Sequence, residues 1–199
     1  MLRQTILSAM ATCLLALGCS GAPDGADAPD TPTTVSGGAA NCSTANDSAQ
    51  GTGTVSGALQ GTSFGDVPTS LWIGMPDSAA TTVIYLFSKP VACSDLCAPG
   101  WDTRISDGTQ ILELKALGVS PTTFPVVKTA TPAPGEAVVN STIATTSATP
   151  TETLGSGGTL ILSALQGHQV ATGTFALQFA SDSLSGSFSA AYCPEGHEP

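Results

Sequence analysis

The segment Gln169–Cys193, QVATGTFALQFASDSLSGSFSAAYC, decides the fold class. Apolar and small polar residues alternate on both sides of the polar turn Ser181–Ser183. A period of two residues indicates a β-strand with one buried face, so the segment predicts a β-hairpin formed by Gln169–Ala180 and Leu184–Cys193. One predicted face carries Phe175, Leu177, Phe179, Leu184, Phe188, Ala190 and Tyr192, and the other carries Thr174, Gln178, Ser185, Ser187 and Ser189.

Seven further segments upstream show strand patterns, and none has apolar residues at helical spacing. Thr81–Phe87 is apolar on both faces, which predicts a central, buried strand. The pattern predicts an all-β domain over residues 51–199, either a single antiparallel β-sandwich or an up-and-down β-barrel of about nine short strands. The other six segments are Gly53–Leu59, Leu71–Met75, Ile111–Ala116, Phe124–Lys128, Ala137–Thr145 and Gly158–Leu165.

The N-terminus has the pattern of an export signal. Arg3 is followed by an uncharged, mostly apolar run over residues 6–17. This run is shorter than the roughly 20 apolar residues needed to cross a bilayer, and a polar, proline-rich stretch follows it. Residues 1–18 are therefore predicted to be a signal peptide.

The end of this leader, Leu15–Cys19 (LALGC), resembles the lipobox of bacterial lipoproteins, with Ala16 and Leu17 in reversed order. The resemblance implies that Cys19 is acylated and becomes the mature N-terminus. Ser20 in place of Asp implies sorting to the outer membrane. The alternative is ordinary secretory cleavage, since Ala16 and Gly18 also satisfy the small-x-small rule. The pattern Gly186–Ala190 followed by Cys193 resembles small uncharacterised lipoproteins, for which the resemblance implies no activity.

Composition separates the linker from the domain and restricts the partners. Residues 19–50 lack aromatic residues and periodic apolar positions, which predicts a disordered linker behind the lipid anchor. Without Arg3, four basic residues remain against fifteen acidic ones. So few cations argue against a nucleic-acid partner and against a polybasic membrane patch. The expected partners are the membrane, through the lipid, and a protein, glycan or apolar small molecule.

Cysteine count agrees with lipidation. Cys13 leaves with the leader, and acylation of Cys19 leaves four thiols, an even number suited to disulfides in an exported protein. We favour Cys93–Cys97 and Cys42–Cys193. The alternative is that Cys93 or Cys97 pairs with Cys193.

The loop Cys93–Thr109 (CSDLCAPGWDTRISDGT) is the candidate binding segment. The carboxylates of Asp95, Asp102 and Asp107 provide oxygen atoms of the kind that bind Ca²⁺, although their spacing differs from that of an EF-hand. Trp101 is of a type that stacks on sugars or partner surfaces. An ordinary solvated loop is the competing interpretation.

Catalytic motifs are scarce, which favours a non-catalytic module with no cofactor. His168 and His197 are the only histidines, and no Gly-x-Ser-x-Gly elbow is present. The expectation is a lipid-anchored envelope protein with a binding or structural role. The alternatives are a lipocalin-like carrier of an apolar ligand and a metal-dependent hydrolase.

Overall fold

A computed structural model describes residues 47, 50–59, 61–74, 81–97, 100–144, 151–166 and 169–194. The all-β prediction is confirmed: these residues form eleven strands and two short 3₁₀ helices, Cys93–Leu96 and Trp101–Thr103. The leader, Cys19 and Cys42 lie outside the described residues. The strands are β1 Gly51–Leu59, β2 Thr62–Ser63, β3 Asp66–Gly74, β4 Thr81–Phe87, β5 Gln110–Leu117, β6 Thr123–Pro125, β7 Ala137–Ile143, β8 Thr151–Leu154, β9 Gly157–Gln166, β10 Val170–Phe179 and β11 Asp182–Tyr192.

The strands form one curled sheet in the order β6-β9-β10-β11-β1-β3-β4-β5-β7-β8, with β2 paired to β1. These neighbours are antiparallel, and β11 also pairs in parallel with β3 at Ala191 and Tyr192. The curl brings the β6 end of the sheet back to β7, where Val126 forms a bridge with Ala137. The architecture is thus barrel-like. The last strand, β11, lies beside the first, β1, as in an up-and-down barrel, whereas β6 departs from that order because it pairs with β9.

The predicted hairpin is formed by β10 and β11, with the turn one residue earlier than expected. Phe179 pairs with Asp182, so the connection consists of Ala180 and Ser181. Ala180 has a φ of 47°, in the left-handed region that a residue with a Cβ rarely occupies.

The interior of the curled sheet is filled by apolar side chains, each at most 7% exposed. A side chain beside a water-sized void would retain accessible surface, so these values describe a packed core. Its aromatic members are Phe64, Trp72, Phe124, Phe175, Phe179 and Phe188.

A second core lies on the outer side of β3, β4 and β5, under the loop that follows β4. Here Val83, Tyr85 and Phe87 of β4 pack against Leu96 and Trp101 of the loop. Every residue of β4 is therefore buried, as its double-sided apolar pattern predicts.

Candidate functional site

The loop between β4 and β5 is a cover for the second core. Trp101 is fully buried, and its ring makes edge-on contacts with Tyr85 (centroid separation 5.1 Å) and Phe87 (5.8 Å). The loop is held to the sheet by main-chain hydrogen bonds from Ser88 to Gln110 and from Gly108 to Ala144. The structure thus places the candidate stacking residue in the interior, where its ring faces other aromatic rings.

The three candidate carboxylates of this loop occupy separate positions. Asp95 is exposed, and its Oδ2 accepts a hydrogen bond from the Ala92 N–H (2.9 Å) at the start of the first 3₁₀ helix. Asp102 is half-buried, and Asp107 is exposed. Within the described residues, no three His, Cys, Asp or Glu side chains lie close enough together to hold a metal ion.

Cys93 and Cys193 form a disulfide, with their Cα atoms 5.5 Å apart. The favoured Cys93–Cys97 and Cys42–Cys193 pairs are therefore both wrong, and the alternative bridge from Cys93 to Cys193 is the one formed. The reason is topological: β11 runs beside β3 beyond the start of β1, and the Cys193 N–H donates to the Trp72 carbonyl. This places Cys193 under the loop. Cys97 is also disulfide-bonded, and its partner lies outside the described residues.

Asp47 attaches the end of the predicted linker to the same loop. Its carboxylate accepts hydrogen bonds from the Ser94 N–H (2.9 Å) and the Ser94 hydroxyl (3.0 Å). The chain therefore reaches β1 from a defined point beside Cys93 and Cys97.

No protein-family model, curated protein or solved structure matches this chain. Among the described residues there is also no helix with the length and apolar character needed to cross a membrane.

The outer side of four adjacent strands, β9, β10, β11 and β1, is an uncharged surface that we name the hydroxyl face. Most of its exposed or half-buried side chains carry a hydroxyl group, and those that do not are Ala58, Ile161, Ala164, Gln166, Val170, Ala176 and Gln178. On β3, the next strand, Asp66 pairs with Thr54 and marks the margin of the face. The hydroxyl residues are Thr159 and Ser163 of β9, Thr172 and Thr174 of β10, Ser183, Ser185, Ser187 and Ser189 of β11, and Thr52, Thr54 and Ser56 of β1.

Strand register aligns these side chains in rows across the face. One row runs Thr52–Ser189–Thr172, and the next runs Thr54–Ser187–Thr174. In the second row the Thr54 and Ser187 hydroxyl oxygens are 3.0 Å apart and hydrogen-bonded. Strands about 4.8 Å apart, with same-face residues about 6.7 Å apart along each strand, form a regular grid of donors and acceptors.

An open depression of about 350 Å³ lies at one end of the hydroxyl face. Gly57 faces Leu184 in the β1–β11 register and has a φ of 114°, and a Cβ there would clash with the Ser183 carbonyl oxygen, so β1 and β11 approach each other closely at this point. Serine hydroxyls and the Gln178 amide provide polar groups around the depression. Its lining residues are Ser56, Gly57, Ala176, Leu177, Gln178, Ser183, Leu184 and Ser185.

A second depression, of about 440 Å³, lies on the outer side of β5, β7 and β8 and is charged. Glu113 and Lys115 of β5 line it together with Asn140 and Glu152. Glu113 and Lys115 are half-buried and share the outer face of β5. The two depressions therefore differ in chemistry, one being uncharged and the other containing both charge signs.

The sequence indicates part of the hydroxyl face. Alternation in β10 and β11 separates their polar from their apolar residues. Pairing of β11 with β1, more than 120 residues earlier in the chain, has no local signal. The continuity of the face therefore becomes visible only in the folded sheet.

Proposed function

We propose that this chain is a lipid-anchored protein of the bacterial outer membrane and that its β domain is a non-catalytic binding module. The hydroxyl face carries the binding part of the proposal. It is an uncharged area four strands wide on a chain with a formal net charge of −10. A solvated surface without a partner has no need to exclude charge, and charged residues at such positions favour solubility.

The anchor is supported by the lipobox-like leader together with the state of the cysteines. Cys93 and Cys193 are bonded to each other, and Cys97 is bonded to a cysteine outside the described residues. Once Cys13 has left with the leader, Cys42 and Cys19 are the remaining candidates.

We infer that Cys42 is the partner of Cys97. Cys42 precedes Asp47 by five positions, and Asp47 is held at Ser94, three positions from Cys97. Five extended residues span at most about 17 Å, so Cys42 can reach Cys97, whereas Cys19 precedes Asp47 by 28 positions and the longer loop costs more entropy to close. Each disulfide forms as two thiols pass two electrons and two protons to an external protein disulfide by exchange. Cys19 is then the one thiol left for acylation.

The structure gives less support to the two alternative functions, a lipocalin-like carrier and a metal-dependent hydrolase. A lipocalin-like carrier needs an apolar cavity of several hundred Å³, whereas the interior side chains named above are at most 7% exposed and pack against one another, which favours binding at the surface. The metal-dependent hydrolase was based on Asp102 and Asp107, which the structure does not bring together with a third ligand.

Detergent phase separation of the full chain expressed in a Gram-negative bacterium tests the anchor. We expect the wild type and Cys42→Ser in the detergent phase, because both retain Cys19. We expect Cys19→Ala to leave that phase. A wild-type protein that is in the aqueous phase or the medium, cleaved after residue 18 without lipid, would refute the anchor.

A further inference from the structure

We propose that the hydroxyl face binds a neutral polysaccharide and that the depression beside Gln178 holds one of its sugar units. This inference rests on the proposed function, for which it supplies a class of ligand and a site. The proposed binding surface consists of the described outward residues of β1, β9, β10 and β11.

The chemistry of the face matches a neutral polyol. Each serine or threonine hydroxyl donates one hydrogen bond and accepts others, and the Gln178 amide does both as well. Sugar hydroxyls have the same dual capacity. An anionic ligand would require cations, yet no Lys or Arg is present among the outward residues of the four strands. A cationic ligand would require carboxylates, and none is present there either.

The depression gives the polymer a point of attachment. Its volume of about 350 Å³ is within the range of small-ligand sites. Ser56 and Ser185 face each other across β1 and β11, and Ala176 completes their row on β10. Gln178 and Ser183 form the next row. A sugar ring in the depression can thus reach hydroxyl and amide groups from three strands, while the rows beyond it contact the following units.

A second copy of the chain suits this face less well. Stable protein–protein interfaces have an apolar core of aromatic and aliphatic side chains. Among the described residues of these four strands, Ile161 is the one large apolar side chain that is exposed (37%), and Val170 of β10 is half-buried. Hydrogen bonds to neutral groups are individually weak in water, so affinity for a polymer has to come from many contacts along the chain.

Affinity electrophoresis of the detergent-solubilised, full-length mature protein tests this proposal. Native gels contain dextran, soluble starch, laminarin or galactomannan, with anionic alginate as the charged comparison. We expect at least one neutral polysaccharide to retard the protein and alginate to leave its mobility unchanged. Retardation by none of the four, or equal retardation by alginate, overturns the proposal.

Three variants locate the site. Ser185→Glu places a carboxylate beside the depression, and Ser106→Glu places the same charge at an exposed position of the loop before β5. Because a buried, unpaired charge opposes binding, we expect Ser185→Glu to weaken retardation at least tenfold and Ser106→Glu to leave it unchanged. Ser185→Ala, which removes one hydrogen-bonding group from an exposed position, should weaken it about fivefold.

Equal effects of the two Glu variants, or no effect of either, overturn the proposed location. Analytical ultracentrifugation provides a further check. A wild-type dimer that Ser185→Glu dissociates would mean that the face binds a second copy. An anchored protein that no polysaccharide retards would refute this inference alone, whereas a retarded but unacylated protein would refute the anchor alone.

Discussion

The ring of Phe188 occupies the space that a side chain on Gly173 would need. The two residues face each other across β10 and β11, and a Cβ on Gly173 would lie 2.5 Å from the Phe188 Cζ atom. The relationship is repeated two residues along, where Phe175 faces Gly186 and a Cβ would lie 2.7 Å from its Cζ atom. These reciprocal pairs pack the interior directly behind the hydroxyl face.

Gly173→Ala and Gly186→Ala should each lower the free energy of unfolding by about 2–3 kcal/mol, since the added methyl group would clash with a backbone carbonyl of the neighbouring strand (Ile161 and Thr54, respectively) as well as with a buried ring. Urea denaturation measures the change. The control is Thr174→Ala, on the outer side of β10, which should change the free energy of unfolding by less than about 0.5 kcal/mol. Equal losses in all three variants would contradict the packing described here.

Trp101→Ala should lower the free energy of unfolding by about 3–5 kcal/mol, because it opens a large cavity between the loop and β4. Asp102→Asn, at the neighbouring half-buried position, should change it by less than about 0.5 kcal/mol. Thermal and urea unfolding of both variants measure the difference. A stable Trp101→Ala protein with altered ligand binding would instead support the surface role expected from the sequence.

Loss of the Cys93–Cys193 bond should be costly. The bond closes a loop of 100 residues, and the chain-entropy model assigns about 4–5 kcal/mol to a loop of that length. The double variant Cys93→Ser/Cys193→Ser removes the bond without leaving a free thiol at either position. A change below about 1 kcal/mol in urea denaturation would show that this bond contributes little.

Ala180→Gly should raise the free energy of unfolding by about 0.5–1 kcal/mol. Glycine adopts a positive φ without the steric cost that alanine has there. Ala176→Gly, in the middle of β10, should lower it by about 0.5–1 kcal/mol for the opposite reason. The prediction fails when both substitutions change stability in the same direction.

The sequence predicts the strands well wherever alternation or a continuous apolar run is long. The nine predicted segments correspond to observed strands, and Thr81–Phe87 has the predicted bounds. The sequence does not indicate the first half of β3, which contains Pro68, because proline is unfavourable inside a strand. The structure accommodates this proline at an irregularity in the β1–β3 register between Gly51 and Gly53. The sequence does not indicate β2 or β8 either, because both strands are short and mostly polar.

The predicted site residues show where local patterns stop being informative. Trp101 sits in a polar loop, and nothing nearby in sequence indicates that Tyr85 and Phe87 need a cover. The Cys93–Cys193 pairing likewise depends on β11 lying beside β3, a contact between distant parts of the chain. The hydroxyl face depends on the β1–β11 pairing for the same reason.

The most direct test of the central claim is mass spectrometry of the protein extracted from membranes, digested without reduction. The account predicts an N-terminal peptide that starts at acylated Cys19, one linked pair joining Cys42 to Cys97 and another joining Cys93 to Cys193. A disulfide at Cys19, or a mature N-terminus at Cys19 with no acyl chain, would contradict it.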